Sequence, residues 1–564
     1  MKDVLKQNIQ EILTKFNIVN SSFVVEYTED TSHGDIATNV ALVGAKALKL
    51  SPRALAEKII DKLQTNLPDE VLKIEIAGPG FINFSFKESF FVSEVLKIKK
   101  EGISKGNLLE GKKTIFEYTD PNPFKAFHIG HLMANAVGES LSRLAQFQGA
   151  DVKRVCYQGD IGLHVAKTIW AMKQARASFP HDEDSEDDKI KFMGDAYVVG
   201  VNAFEDDEKA KEEIKEINKK LFEKSDADLL VYYYKGRQWC LTYFDRIYKK
   251  LGTRFDSHIF ESEVSDDAVK IVRAHMKDVF EESDGAVVFK GEKYGLHTRV
   301  FLNSQGLPTY EAKELANTLE KIRRYAPDIS VVTSANEITD YFKVIKCVLG
   351  LIDPKSAESL EFISHGMLRL TEGKMSSRKG NIVTGESLIM DTEKEVLAKM
   401  TERDISDGEK KEIATNVSIS AIKYAILKQS PGKDIIFDRE KALSFEGDSG
   451  PYLLYTLVRA KAVQKKAQDL QIKKEIDISK CFGIEKELVK FKDIALRAFE
   501  EKAPQKVVEY LTRLSAEFNS FYAKEKIADI DDVYSPYKTA VVDCVITTLQ
   551  KGLWLLGMSE VEKM

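Results

Sequence analysis

The chain has 564 residues and a mass of 63.7 kDa, room for about three or four domains at roughly 100–200 residues each. Its 83 Lys and Arg against 89 Asp and Glu give a formal charge of -6, which excludes a wholly basic nucleic-acid binder and leaves only a local patch. Cys156, Cys240, Cys347, Cys481 and Cys544 stand apart, without the Cys-x-x-Cys spacing of a zinc site or a disulfide framework, and no apolar run reaches transmembrane length. Reduced thiols and a soluble cytoplasmic protein without structural zinc are therefore expected.

The first residues set Val4, Leu5, Ile9, Ile12 and Phe16 on one helical face with Asp3 and Glu11 between them, unlike a signal or transit peptide. Residues 1–105 mix two helical patterns with short strand signals at 23–27 and 81–86, which predicts a small α+β domain. Residues 99–113 read as its polar linker.

The strand signal at 114–118 is broken by Asp120-Pro121-Asn122-Pro123, and from His128 onward Leu132, Ala136, Leu141, Leu144 and Ala145 recur at helical spacing. His128 and His131 are expected in the first turn of that helix. Its N–H groups and partial positive charge suit a triphosphate, and Gly130 between the histidines lets a ring approach the backbone. Taken alone, a His-x-x-His pair is more often two capping side chains on a surface turn.

Strand signals at 152–157 and 329–333 alternate with helical ones, so residues 110–395 read as a parallel sheet with helices on both faces, carrying an insertion at about 175–260. Within the insertion, the acidic run 181–188 reads as a solvated loop rather than a metal site, and residues 206–224 as a charged helix. Tyr310 and Glu314 are four apart, one helical turn on a common face. Residues 372–381, Glu-Gly-Lys-Met-Ser-Ser-Arg-Lys-Gly-Asn, place three cations between two glycines; seen alone they read first as a solvated basic turn, and paired with His-Ile-Gly-His upstream as a loop that closes over a leaving pyrophosphate. From 396 to 564 the chain reads as helices, with an apolar and aromatic stripe of Tyr510, Leu511, Leu514, Phe518, Phe521 and Tyr522. No Gly-x-x-x-x-Gly-Lys-Ser/Thr run supports a P-loop enzyme.

His128-Ile129-Gly130-His131 together with Lys374-Met375-Ser376-Ser377 resembles the two signatures of class I aminoacyl-tRNA synthetases, and the flanking residues resemble the arginyl-tRNA synthetase family. The likeness covers nearly the whole chain. It includes His33-Gly34-Asp35-Ile36 and Ala77-Gly78-Pro79-Gly80-Phe81-Ile82-Asn83 near the start, Gly159-Asp160-Ile161-Gly162 in the middle, and Gly447-Asp448-Ser449-Gly450-Pro451-Tyr452 late in the chain. The ending, from Leu555 onward, also resembles that family's C-terminus and so implies an untruncated chain.

The resemblance implies a class I Rossmann-like α/β catalytic domain between an N-terminal α+β tRNA-binding domain (1–105) and a C-terminal all-α anticodon-binding domain (396–564). It implies an arginine–tRNA ligase using ATP with Mg2+, acting on L-arginine and its tRNA, without a protein nucleophile, and a monomer is expected. Lys125, His128, His131 and Lys374 are implied as catalytic. ATP is implied to meet Lys125, His128, Gly130, His131, Lys374, Met375, Ser376, Ser377, Arg378 and Lys379. Arginine is implied to meet Glu117, Asn122, Tyr310, Glu314 and Asn336, and tRNA to meet Phe81, Asn83, Phe518, Asn519 and Tyr522. The chain departs from the family's pattern at Glu314, more often Asp, and at Asp120, commonly a small hydroxyl residue. A synthetase for another amino acid and a tRNA-binding relative without catalysis are the competing readings.

Overall fold

The apolar run after the linker becomes the central strand, Lys113–Glu117, of a five-stranded sheet, with Thr114 to Glu117 all buried. Asp151–Gln158 pairs on one side and Ile329–Ala335 on the other, both parallel to it. Ser257–Phe260 and Leu360–His365 form the edges, also parallel. The second strand in sequence thus lies on one side of the first and the fourth on the other. In an open parallel sheet, the crevice at the strand C-termini beside this reversal is where ligands bind.

The computed structural model describes all residues except 19–21, 29, 372–383, 401–404, 474 and 477–478. Contacts divide the chain into two units: one made of residues 105–458, 494–512 and 550–564, the other of residues 1–104, 459–493 and 513–549.

In the larger unit, Ile129–Phe147 leaves the loop after the central strand and is buried along almost its whole length. Gly138 lets it lie flat against that strand's end: a Cβ there would stand 2.3 Å from Cβ and Cγ of Tyr118. The insertion between Asp151–Gln158 and Ser257–Phe260 is helical, with Glu186–Asp206, Glu208–Glu223 and Ala227–Leu251. Part of the acidic run is not a loop. Ser185 accepts the Asp188 N–H as N-cap, and Glu186, Asp187 and Asp188 occupy the first turn, where carboxylates complement the helix dipole. The charged helix buries Ala210, Ile214, Ile217 and Leu221 at a spacing of three to four, as its periodicity predicts. An antiparallel trio, Glu281–Ser283, Ala286–Phe289 and Arg299–Leu302, and a parallel pair, Leu368–Leu370 with Ile435–Phe437, have no counterpart in the sequence reading.

In the smaller unit, an antiparallel sheet runs in the order Val25–Tyr27, Ile36–Thr38, Phe81–Phe86, Val71–Ala77. Ile82 and Phe84 face its core with Leu5 and Ile9 of the first helix. Gly34, at φ +84°, approaches the Phe84 carbonyl too closely for a side chain, and Asp35 accepts the Phe86 N–H at 2.8 Å and Lys486 Nζ at 2.9 Å. The His33-Gly34-Asp35 motif is thus tied to the sheet. Asp407–Leu427, Gly450–Asp469, Gln505–Lys524 and Ser535–Leu555 are the long helices of the final third among the described residues. Among the described residues no helix is long and apolar enough to cross a membrane.

Gly138→Ala should lower the urea midpoint of the larger unit, at an overpacking cost of about 1–3 kcal/mol, followed by tryptophan fluorescence against the wild type. An unchanged midpoint would mean that the contact with Tyr118 is loose.

Candidate active site

The loop from the central strand to its helix is held in an unusual backbone path. Thr119 (φ +81°), Asp120 (φ +46°) and Phe124 (φ +66°) all adopt left-handed conformations, which cost energy for non-glycine residues and persist only where surroundings enforce them. The enforcement is visible. Tyr157 donates its N–H to Asp120 Oδ1 at 2.7 Å, Asn135 Nδ2 donates to Thr119 Oγ1 at 3.0 Å, and the Phe124 N–H donates to Cys240 Sγ at 3.1 Å. The Phe124 ring fills the space left by Gly236 on Ala227–Leu251, where a Cβ would come within 2.4 Å of it. The same helix supplies Tyr233 and Arg237 to the fully buried Asp160, which also accepts from the N–H and Oγ of Ser262. The Gly-Asp-x-Gly element is therefore an anchor, and Gly159 is bare because a Cβ would meet Asn122 Oδ1 at 2.2 Å.

At the helix mouth, His128 is the N-cap, one position before the first turn, and His131 is the third helical residue. His131 Nδ1 accepts the His128 N–H at 3.2 Å, so the proton of its neutral ring sits on Nε2. The two rings stack with centroids 3.4 Å apart. Loss of solvent, then the neighbouring His128 and Lys125 charges, push His131 well below the ordinary histidine value. His128 is pushed down to about 4 by lost solvation and by Lys125 and His365. Burial lowers Lys125 as well, with Lys167 in the same direction and Glu261 opposing. His164, held through Nε2 to the Gly159 carbonyl at 2.9 Å, is lowered to about 3 by burial and then Lys125.

The chain returns to this corner more than two hundred residues later. Thr384 forms a backbone bridge with His128, and Gly385 donates its N–H to the Phe127 carbonyl at 2.8 Å. Thr384 then caps the helix Gly385–Lys399. Lys374, Met375, Ser376, Ser377, Arg378 and Lys379 lie outside the described residues.

Beneath the strand ends lies a cluster of buried carboxylates. Glu117, at 1 % exposure, accepts Lys321 Nζ at 2.6 Å and Asn317 Nδ2 at 3.0 Å, both donors on Tyr310–Tyr325 and both fully buried. Asn317 Nδ2 also reaches Glu314 Oε1 at 3.3 Å. Glu261 pairs with Lys313. Among the described residues neither Glu314 nor Asp120 forms an ion pair, and Tyr157 Oη and Asn317 Oδ1 lack hydrogen-bond partners. Desolvation and then the Glu117 charge raise Glu314 to about 8 and Asp120 well above the usual carboxylate range. Burial alone would depress Lys321, but Glu117 and Glu314 outweigh it and hold it above the ordinary lysine value. The cluster carries more carboxylates than cations, a floor suited to a cationic ligand.

Tyr310 sits at the start of the same helix with 60 % of its surface exposed, its carbonyl accepting from Tyr341 Oη at 3.1 Å, whereas Glu314 one turn on is 6 % exposed. Asn336 follows the strand Ile329–Ala335 and reaches the Gly432 carbonyl at 3.4 Å through Nδ2. In the smaller unit, Phe81 is 39 % exposed while Asn83 on the same strand is buried. Phe518 is fully buried, so the implied RNA contact does not fit its place: it belongs to the core face of its helix. Asn519 and Tyr522 stand nearer the surface, Asn519 Oδ1 accepting from Arg459 Nη1 at 2.6 Å and the guanidinium lying 5.4 Å from the Tyr522 ring centroid. Tyr522 and Arg459 border a groove of about 370 Å³ shared with Lys466 and Lys526.

Sequence reading missed Lys321, Asn317, Glu261 and Lys313. A signal for the first two was present, because Tyr310, Glu314, Asn317 and Lys321 repeat at three to four residues and share one face of the helix. No group of three or more His, Cys, Asp or Glu side chains among the described residues could hold a metal ion.

Comparison with known proteins agrees with this architecture. Residues 92–439 match the family model "tRNA synthetases class I (R), catalytic domain", residues 1–86 "Arginyl tRNA synthetase N terminal domain" and residues 453–564 "DALR anticodon binding domain". The arginine–tRNA ligase of Clostridium botulinum is 30 % identical over 92 % of this chain and 92 % of its own, and that of Treponema denticola 30 % identical over 95 % and 94 %. The solved Thermus thermophilus arginyl-tRNA synthetase superimposes over 100 % of both chains with a TM-score of 0.83 at 23 % identity, a likeness of fold.

His128 and His131 should stay neutral at pH 6, where an unperturbed histidine is mostly protonated. Both values lie below the unfolded 6.5, so the unfolded chain binds more protons as pH falls. The stability they contribute is complete above pH 6.5 and is lost as pH falls toward 4. Ring 15N chemical shifts across pH 4–8 report it directly, and a midpoint near 6.5 for His131 would contradict its burial.

Proposed function

The chain belongs to the arginyl-tRNA synthetase family, and from that premise we propose how its site joins arginine to tRNA. It is an arginine–tRNA ligase. The arginine carboxylate attacks the α-phosphorus of ATP, the bond to pyrophosphate breaks, and a hydroxyl of the terminal ribose of tRNA then takes the acyl group and releases AMP. Neither step needs a protein nucleophile, so positioning and charge stabilisation supply the rate.

The observation that carries the assignment to arginine is the carboxylate-rich floor at the reversal of the sheet. A guanidinium is planar, always charged and rich in donors, and among the described residues Glu314 has no ion-pair partner. Glu117, Asn122, Tyr310, Glu314 and Asn336 are proposed to border the bound arginine. Lysine is rejected because it cannot fill a planar, multi-acceptor site, and citrulline because it leaves a buried carboxylate without a cation.

His131 is proposed to donate Nε2–H to the triphosphate, His128 to flank it, and Lys125 to meet the charge on the leaving pyrophosphate. Gly130 leaves room beside the His128 ring for the adenine. The segment Lys374, Met375, Ser376, Ser377, Arg378 and Lys379 is assigned to the same phosphates by its composition, and Mg2+ is taken to arrive with ATP. For tRNA, Phe81 and Asn83 serve the smaller unit's sheet, and Asn519 and Tyr522 offer an amide and an aromatic face to an unstacked base, with Phe518 supporting them from the core. The proposed setting is the cytoplasm, where charged tRNA is used, and the protein is proposed to act as a monomer because one chain provides every residue named.

Arginine-dependent exchange of labelled pyrophosphate into ATP, with and without tRNA, tests this reading. Exchange with arginine and not with lysine is expected; none under either condition, with tRNA still bound, would favour a non-catalytic tRNA-binding relative. Arginine binding should also displace the Glu314 proton, since a neighbouring cation favours the ionised carboxylate. Affinity for arginine should then rise by up to about tenfold per pH unit toward pH 8 and level off above it. Calorimetry at pH 7 in two buffers of different ionisation enthalpy should show proton release; identical heats would remove Glu314 from the site.

A further inference from the structure

Glu117 ends the central strand, but its Oε2 already holds Lys321 Nζ and Asn317 Nδ2, in a pair with almost no solvent exposure on either partner. Its charge is neutralised before any ligand arrives. Three residues on, Asp120 is turned by two successive left-handed residues and fixed through Oδ1 by the Tyr157 N–H, and among the described residues it has no ion pair. Asn317 lies between Glu117 and Glu314 with no exposed surface, and among the described residues its Oδ1 has no partner, an acceptor without a donor in a buried cluster. An unsatisfied buried acceptor costs free energy unless something supplies the donor.

We propose that Asp120 and Glu314 are the carboxylate pair that receives the guanidinium of arginine, that Asn317 Oδ1 accepts a further N–H, and that Lys321 withdraws Glu117 from this role by pairing with it. Asp120 is thereby a specificity-determining residue, and this rests on the arginine ligase reading above. The charge arithmetic is simple. With Glu117 and Lys321 cancelling, Asp120 and Glu314 remain for one guanidinium. An Asp at position 120 and a Lys at position 321 are then two halves of one exchange, the negative charge moved from the strand's end to the loop after it.

Asp120→Asn keeps an oxygen for the Tyr157 N–H and removes only the charge, so a turn-holding role would leave it unaffected. Arginine binding by calorimetry to the full-length protein should weaken at least about thirtyfold in Asp120→Asn. The KM for ATP in pyrophosphate exchange should stay within twofold, and discrimination of arginine over citrulline should fall. Asp120→Asn combined with Lys321→Met frees Glu117 and restores the charge count, and should recover arginine affinity relative to Asp120→Asn alone. Near-wild-type affinity in Asp120→Asn, or a double variant that keeps the single variant's unfolding midpoint yet binds arginine no better, would overturn the proposal. Binding and exchange separate the two readings: a wild type whose arginine affinity falls in Asp120→Asn but which exchanges no pyrophosphate keeps the inference and loses the ligase, whereas a wild type that exchanges normally while Asp120→Asn binds arginine undiminished loses the inference alone.

Discussion

The buried pair between Glu117 and Lys321 sets the terms for everything around it. Glu117 belongs to the central strand and Lys321 to the helix Tyr310–Tyr325, so one contact fixes the helix against the sheet at the point where chain order reverses. A buried ion pair seldom adds much stability over an apolar pair of the same volume, because desolvation offsets attraction, yet removing one partner is strongly destabilising. Its value here lies in placement. Asn317 shares Glu117 with Lys321 and reaches on to Glu314, so the position of the pair dictates which carboxylates remain without a cation.

The second constraint is the wall built by the insertion. Ala227–Leu251 contributes Gly236 and Cys240 to the Phe124 loop, and Tyr233 and Arg237 to Asp160. These contacts make a strained loop affordable, and the strain keeps Asp120, Asn122 and Lys125 in place before any substrate binds. A helix that sequence treats as an addition to the fold is thereby part of the site's frame.

Much of this was legible. Alternation of strand and helix signals identified the parallel sheet, and the break at Asp120-Pro121-Asn122-Pro123 located the loop at its switch point, because proline and asparagine report backbone geometry locally. Partnership was not legible. Nothing in the sequence says that Lys321 lies on Glu117 across 204 residues, that Lys313 lies on Glu261, or that Phe518 turns inward while Tyr522 turns outward. Periodicity can place residues on a stripe, but which stripe meets which depends on packing of elements far apart in the chain. The short strands of residues 281–302 were missed for a related reason: three or four residues do not establish a period.

The bridge between His128 and Thr384 bears on the order in which the molecule comes to exist. Its two sides are 256 residues apart, and the helix that begins at His128 is also fastened at Ser140 and Arg143 to the carbonyls of Leu555 and Trp554. At a synthesis rate of about 5–20 residues per second, Thr384 follows His128 from the ribosome by roughly 10–50 s, and Leu555 follows later still. The helix mouth that carries His128 and His131 is thus completed last, and a nascent chain holds these histidines well before it holds the scaffold that fixes them.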